Sequence, residues 1–476
     1  MIETAPLVEP GVVERVLADA LRNGGDFAEL FAEDRRATSA SFDDTRVEEL
    51  ASGRDRGAGI RVVVGETTGF AHTADLSESG LLRAASAAAA VARGSHGEQR
   101  TVALEPPHGR PAASDDVIVY PGDVAKAAKV ELLARADEAA RSAGGSIRQV
   151  SVGYGDSRRR MMVANSDGLL AGDDQVRTRL AVSCVAVGDT GMQTGFESVA
   201  NTVGFELFDS GAPGGVDVES VAREAARRAM SKLSARPAPS GLVPVVIKGG
   251  TGGILFHEAC GHGLEADHIV KDSSVYTGRV GELVASPLVT LVDDGTVGRE
   301  WGTYSVDDEG RPAQRNVLIE NGVLTDYMWD WLRAHREGRA SSGNGRRQSY
   351  QHLPMVRMTN TFLLAGTEDP EEVVAQTPYG VYVAKLGGGQ VNTATGDFVF
   401  GMTEAYLIEG GHITEPLRDA NLIGNGPEVL GRIDAVADDF AMCPGTCGKD
   451  GQSVPVGCGQ PTLRITGVTV GGTAGG

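Results

Sequence analysis

Residues 218–250, VESVAREAARRAMSKLSARPAPSGLVPVVIKGG, set three patterns one after another. Alanine and other apolar residues recur at helical spacing through 218–233, which predicts an amphipathic helix. SARPAPSG (234–241) then gathers proline, serine and glycine, which punctuate regular structure. LVPVVIKGG (242–250) follows as a short apolar run of the buried-strand type. A helix, a proline-rich break and a buried strand in that order mark a domain boundary. At 476 residues the chain is long enough for two cores. The expected division is an N-terminal domain over 1–236 and a C-terminal domain over 237–476.

Working back from the break, helices are expected at 10–23, 76–93 and 121–143. Between them ELFAEDRRATSASF, RGAGIRVVVGETTGFAHTA and VRTRLAVSCVAVGDTGMQTGFESVA alternate as strands do, with glycine-containing breaks of the hairpin kind. This predicts an α+β domain, an antiparallel sheet with helices on one face. GEQRTVALEPPHGRPAASDD (97–116) is expected to be a proline-bearing loop. Forward of the break, ASPLVTLVDD, RNVLIENGVLTDY, GVYVAKLGGGQVN and FVFGMTEAYLIEGGHI predict a β-rich domain, with short helices near 328–337 and 369–376. REGRASSGNGRRQSY (336–350) is polar, basic and glycine-rich, the strongest candidate for a mobile segment. Arg346 and Arg347 within it are expected to be solvated.

Glycine, 65 of 476 residues, is about twice its usual share and implies many turns. A net charge of −20 argues against direct nucleic-acid binding, which needs a basic surface. No apolar run is long enough to span a membrane. MIETAPLVEPGVVERV lacks the basic and apolar regions of a signal peptide. Five cysteines, an odd number in a large chain, fit a reduced cytoplasmic protein better than a disulfide framework.

The strand at 242–250 runs into FHEACGHGLEAD (256–267). His257 followed by Glu258 is how a zinc-peptidase helix begins, but the next histidine is His262, five positions on rather than four. On an ideal α-helix two such side chains point roughly 140° apart. A local π-turn, with its i→i+5 bond, brings them nearly into line. Gly261 and Gly263 flank His262 and supply backbone freedom for such a deviation. Two histidines leave a third ligand unnamed: Glu265, Asp267 and His268 are near in sequence, and a distant thiol also suits zinc. The plainer alternative is that these are ordinary polar residues of a helix.

GGTGGILFHEACGHGLEAD resembles the signature of the TldD/PmbA (TldD/TldE) family, whose TldD-type member carries an HExxxH zinc motif. MTNTFLLAGTEDPEE, GGGQVNTATGDFVFG and the tail CGKDGQSVPVGCGQPTLRITGVTVGG (447–472) fit the same family. The resemblance covers most of 237–472. It implies His257 and His262 as zinc ligands, Glu258 as general base and Cys447, in the CGKDGQ block, as the third ligand. Cys443 and Cys458 are rivals for that place, while Cys260 is expected to be a packing residue. It further implies a cytoplasmic zinc peptidase acting on short or unfolded peptides, as a heterodimer with a TldE/PmbA-type partner or as a homodimer. Tyr350 and His352, after the basic loop, are candidates for oxyanion or substrate contacts, and GGGQVN (387–392) for an open strand edge. The alternatives are a regulatory or binding protein with a closed structural metal site, favoured if Cys443 or Cys458 joins as a fourth ligand, and a metal hydrolase of non-peptide amides.

Overall fold

A computed structural model describes residues 6–92, 101–106, 117–189 and 191–472. Most of the proline-bearing loop expected at 97–116 lies outside the described residues. The chain is α+β, and its first half is built on one six-stranded antiparallel sheet. The strands are β1 (Phe27–Asp43), β2 (Arg46–Val64), β3 (Thr67–Thr73), β4 (Ile147–Asn165), β5 (Leu170–Gly188) and β6 (Gly191–Asn201), in the spatial order β3-β2-β1-β4-β5-β6. The accompanying helices are α1 (Pro10–Ala20), α2 (Glu78–Ala92), α3 (Lys126–Ser142) and α4 (Val218–Ser231).

Strand alternation sorts the residues of this sheet between two faces. Leu30, Ala32, Ile60 and Val62 pack against Val13, Leu17, Leu81 and Ala85 of α1 and α2. Val152, Tyr154, Leu180 and Val182 pack against Leu132, Ala136, Ala222 and Ala226 of α3 and α4. All four helices thus lie on one face, as the sequence pattern implies.

The opposite face is polar in sequence, yet the second half of the chain buries part of it. Phe31, Met161 and Val163 pack there against Val306 and Tyr350 of the second half. Around them runs an ion network. Arg61 bonds Glu29 at 2.8 Å and Glu309 at 2.8 Å, Arg159 bonds Glu33 and Asp308 at 2.8 Å each, and Arg347 bonds Glu29 at 2.5 Å. Charges taken from water persist only with such partners.

This face corrects the expectation for 336–350. The segment is not a solvated basic loop beyond its first residues, because Asn344, Arg346 and Arg347 are buried. Arg346 donates to the carbonyls of Met358 (2.5 Å) and Pro455 (2.7 Å), and Arg347 is held by Glu29.

Two further sheets position the candidate site. In one, Tyr379–Val391, Gly241–Ile247, Leu463–Gly472, Ala420–Asn425 and Asp397–Glu409 follow one another, and the last pairs back on the first, so the sheet closes on itself. Val245, Ile247, Val383, Phe400 and Leu422 from these strands share a core with Phe256 and Ala259 of the motif segment. The other sheet is six-stranded and ends in a hairpin, Ala441–Lys449 with Gln452–Gln460. Short helices at Trp331–Arg336 and Pro370–Ala375 occupy two of the expected positions.

Candidate metal centre

The motif helix starts at Gly253, is α-helical to Phe256, and widens into a π-turn over His257–Gly261. The His262 amide donates to the His257 carbonyl, the i→i+5 bond that the five-residue spacing requires. The carbonyls that such a turn disturbs are taken up elsewhere. The Tyr276 hydroxyl donates to Ala259 O at 3.1 Å, and the Cys260 thiol donates to Phe256 O at 3.2 Å. Cys260 is fully buried in the core, and burial pushes its thiol up to about 12. It is a packing residue.

The flanking glycines serve a different purpose from backbone freedom. Gly261 has ordinary right-handed helical angles, φ −51° and ψ −56°, which any residue adopts. A Cβ there would lie 2.2 Å from Met358 Sδ, and at Gly263 2.8 Å from the Tyr276 ring. Close approach of neighbours, not unusual dihedrals, demands glycine. Gly253 is tighter still, since its Cβ would meet the backbone nitrogen of Gly459 at 2.2 Å. Gly261→Ala is expected to cost about 1–3 kcal/mol, because a flexible methionine gives way, and Gly253→Ala more, because backbone does not. Denaturant unfolding of both variants checks that order.

Cys447 reaches the helix on the hairpin, and the CGKDGQ block explains how. Asp450 (φ 48°) and Gly451 (φ 75°) form a two-residue turn closed by the Lys449–Gln452 pair, the Asp-Gly turn that tight hairpins favour. Lys449 Nζ, just before the turn, bonds Glu265 at 2.9 Å and Asp267 at 2.7 Å and ties the hairpin to the motif segment. The Gln452 side chain accepts from the Gln348 amide and donates to Leu353 O, both at 3.0 Å. Arg357 donates to the Cys447 carbonyl at 2.5 Å.

The result is a convergence of donors. Ligand atoms of His257, His262 and Cys447 all lie within 4.8 Å of one another. The imidazole rings sit 4.9 Å apart, nearly perpendicular, and Cys447 Sγ is 3.5 Å from His262 Nε2. His262 Nδ1 is bonded to Glu265 at 2.9 Å, which leaves Nε2 to face the thiol. His257 Nδ1 is buried with no hydrogen-bond partner. Burial alone would hold the Cys447 thiol protonated, but His257 and His262 pull it down to about 4. Burial likewise opposes charge on His262, yet Glu265 and Cys447 raise it to about 9. Two imidazoles and a readily ionised thiol, with one ring nitrogen orphaned, form a donor set suited to a divalent soft-to-borderline cation.

The other sequence candidates fall elsewhere. Glu265, Asp267 and His268 form a second group, engaged with Lys449 behind His262. Cys458 stands beside His257, but its sulfur is not among the three mutually close donors. Cys443 faces Cys458 across the hairpin. Glu258 is half-buried beside His257, and burial pushes its carboxyl above the usual range. Tyr350 is buried against Gly57 and Gly59 of β2, and His352 bonds Ser349 at 2.9 Å. Sequence reasoning missed Lys449 and Tyr276. The lysine had a signal, its place inside the CGKDGQ block.

Models of the PmbA/TldA metallopeptidase family match in three parts: domain 1 over 28–92, the central domain over 119–233 and the C-terminal domain over 240–472. A protein named metalloprotease TldD homolog from Haemophilus influenzae is 41% identical, across 94% of this chain and 93% of its own. The chain belongs to the PmbA/TldA metallopeptidase family. A relative from Methanothermobacter thermautotrophicus named metalloprotease is 36% identical, over 94% of this chain and 96% of its own. TldE from Thermococcus kodakarensis shares the fold, with a TM-score of 0.78 at 21% identity, over 97% of this chain and 100% of that one. Among the described residues no helix is long and apolar enough to cross a membrane.

Proposed function

We propose that the chain is a zinc-dependent peptidase of short or unfolded peptides, with His257, His262 and Cys447 as ligands and Glu258 as general base. The convergence of the three donor atoms within 4.8 Å carries this reading, and the names of the family's members support it. The name of one relative, from Saccharolobus solfataricus and 26% identical over 94% of this chain and 97% of its own, includes zinc. Bound zinc supplies a Lewis acid and lowers the pKa of water. Glu258, next to a ligand and raised by burial, is suited to take a proton from the attacking water and return it to the leaving amine. Glu265 holds the His262 ring, and Lys449 holds Glu265.

Main-chain recognition suits a peptidase of low side-chain specificity. The Tyr379–Val391 strand pairs with Gly241–Ile247 only at Val381–Val383, while its other edge pairs on to Val391. Gly387–Gln390 therefore offers one free edge to an extended peptide. Met192 and Phe196 are exposed on β6, at the margin of the first sheet, which supports association with a TldE-type partner or a second copy. A three-donor set without Cys458 supports an open, catalytic position over a closed structural site.

The test is zinc content and cleavage of an unfolded peptide by the purified chain, alone and with a TldE-type partner. Stoichiometric zinc is expected, with cleavage that a chelator stops and zinc restores. Cleavage indifferent to chelation would falsify the assignment.

A further inference from the structure

A cavity of about 580 Å³ lies between the polar face of the first sheet and the Ala441–Gln460 hairpin. Its base comes from cross-strand rows of small residues. Gly53, Ala37 and Ser157 are register partners across β2, β1 and β4, and the next row on that face runs Ala51, Ser39, Gly155. Arginines extend those rows: Ser157 pairs with Arg177, and Gly155 with Arg179. Arg35 stands directly opposite Arg159, a like-charge pair that destabilises a sheet left to itself. Arg346 and Arg347 complete six arginines in the lining.

Two of these charges are paired, Arg159 with Glu33 and Asp308 and Arg347 with Glu29, and the other four are not neutralised from within. The lining holds two carboxylates, Asp156 and Asp308, and both are taken, Asp156 by Lys129 at 2.6 Å and Asp308 by Arg159 at 2.8 Å. Among the described residues Arg35, Arg177, Arg179 and Arg346 have no carboxylate in ion-pair range. Arg177 is buried, yet it donates only to Trp301 O, Thr303 O and the Gln175 amide oxygen. Arg346 donates only to carbonyls. Three buried guanidinium nitrogens of the lining, Arg159 Nη2 and Arg347 Nε and Nη1, have no hydrogen-bond partner. In a chain of net charge −20, a concentration of unpaired cations around a cavity is an anion site.

The hairpin identifies the anion. Thr446 and Val454 line the cavity, while Cys447, next to Thr446 and paired with Val454, belongs to the candidate metal centre. Cavity and centre share that wall. We propose that the cavity binds carboxylates of an acidic peptide substrate, held by the planar forks of Arg35, Arg177, Arg179 and Arg346. This rests on the peptidase reading and adds a substrate preference to it.

Two labelled unfolded peptides, one rich in Glu and one with each Glu replaced by Gln, both with amidated C-termini, measure the preference by fluorescence anisotropy on the full-length Glu258→Gln chain. The Gln peptide with a free C-terminus reads the terminal carboxylate separately. At least one carboxylate-bearing peptide is expected to bind about tenfold more tightly than the amidated Gln peptide. The double variant Arg35→Gln/Arg179→Gln, built on the same chain at two exposed positions, is expected to remove that difference. Equal affinities for all peptides, or a preference undiminished in the double variant, overturn the proposal. Cleavage by the zinc-loaded native chain separates the two readings. An arginine-dependent preference without cleavage keeps the cavity and removes the peptidase, and cleavage without preference does the reverse.

Discussion

Replacing Glu258 by glutamine is expected to lower peptide turnover by about 10²–10⁴-fold while zinc content and the thermal transition stay as they are. Glutamine keeps the shape of glutamate but cannot accept a proton, so a loss confined to turnover isolates the proton transfer. The expectation rests on Glu258 lying outside the three-donor group while directly following His257, a member of it. Burial raises its carboxyl, which brings its basicity closer to that needed at neutral pH. Turnover and zinc content are measured on the same preparation. If zinc falls with activity, Glu258 is a ligand and not a base. If turnover is unchanged, the base lies elsewhere.

Much of the first half was legible in the sequence because its signals are local. Helical spacing in alanine-rich segments and alternation in the strands are periodic over ten to twenty residues, and the sheet with helices on one face follows from them. The five-residue histidine spacing was equally local, since it implies a π-turn on geometry alone. Its glycines, which suggest backbone freedom, act through room for their neighbours instead. Gly261 has ordinary helical angles, and what it grants is room for Met358, a residue 97 positions away in sequence that no local pattern could have indicated.

The polar face of the first sheet failed for a related reason. Arg35, Arg159, Arg177, Arg346 and Arg347 look like solvent-facing residues of strands or of a basic loop, because alternation gives the face and not what covers it. The partners of the last four lie elsewhere in the chain: Asp308 for Arg159, the carbonyls of Trp301 and Thr303 for Arg177, those of Met358 and Pro455 for Arg346, and Glu29 for Arg347. Composition alone makes 336–350 look mobile, yet the same long-range packing buries its second half. Cys447 illustrates the limit most plainly. From residues alone it was one unnamed thiol among several, and only resemblance to a family singled it out. It lies 185 residues from His262, on a hairpin of a different sheet.

That separation makes Cys447→Ala the most informative stability experiment. A cation held by His257, His262 and Cys447 would cross-link the motif helix to the hairpin. It would stabilise the folded chain by mass action, about 4 kcal/mol when free zinc is about a thousand times its dissociation constant. Cys447→Ala is expected to abolish most of the zinc-dependent rise in Tm, together with stoichiometric zinc and peptide cleavage. The zinc-free chain should change far less, because the hairpin is still tied by Lys449 to Glu265 and Asp267 and by Arg357 to the residue 447 carbonyl. Cys458→Ala is the matched control, since Cys458 is equally buried on the same hairpin but outside the three-donor group. It is expected to keep the zinc-dependent shift. A Cys447→Ala chain that retains full zinc and its thermal shift would remove Cys447 from the ligand set. Loss of the shift in Cys458→Ala alone would transfer the third position to Cys458, and loss in both would indicate a closed four-donor site of the structural kind.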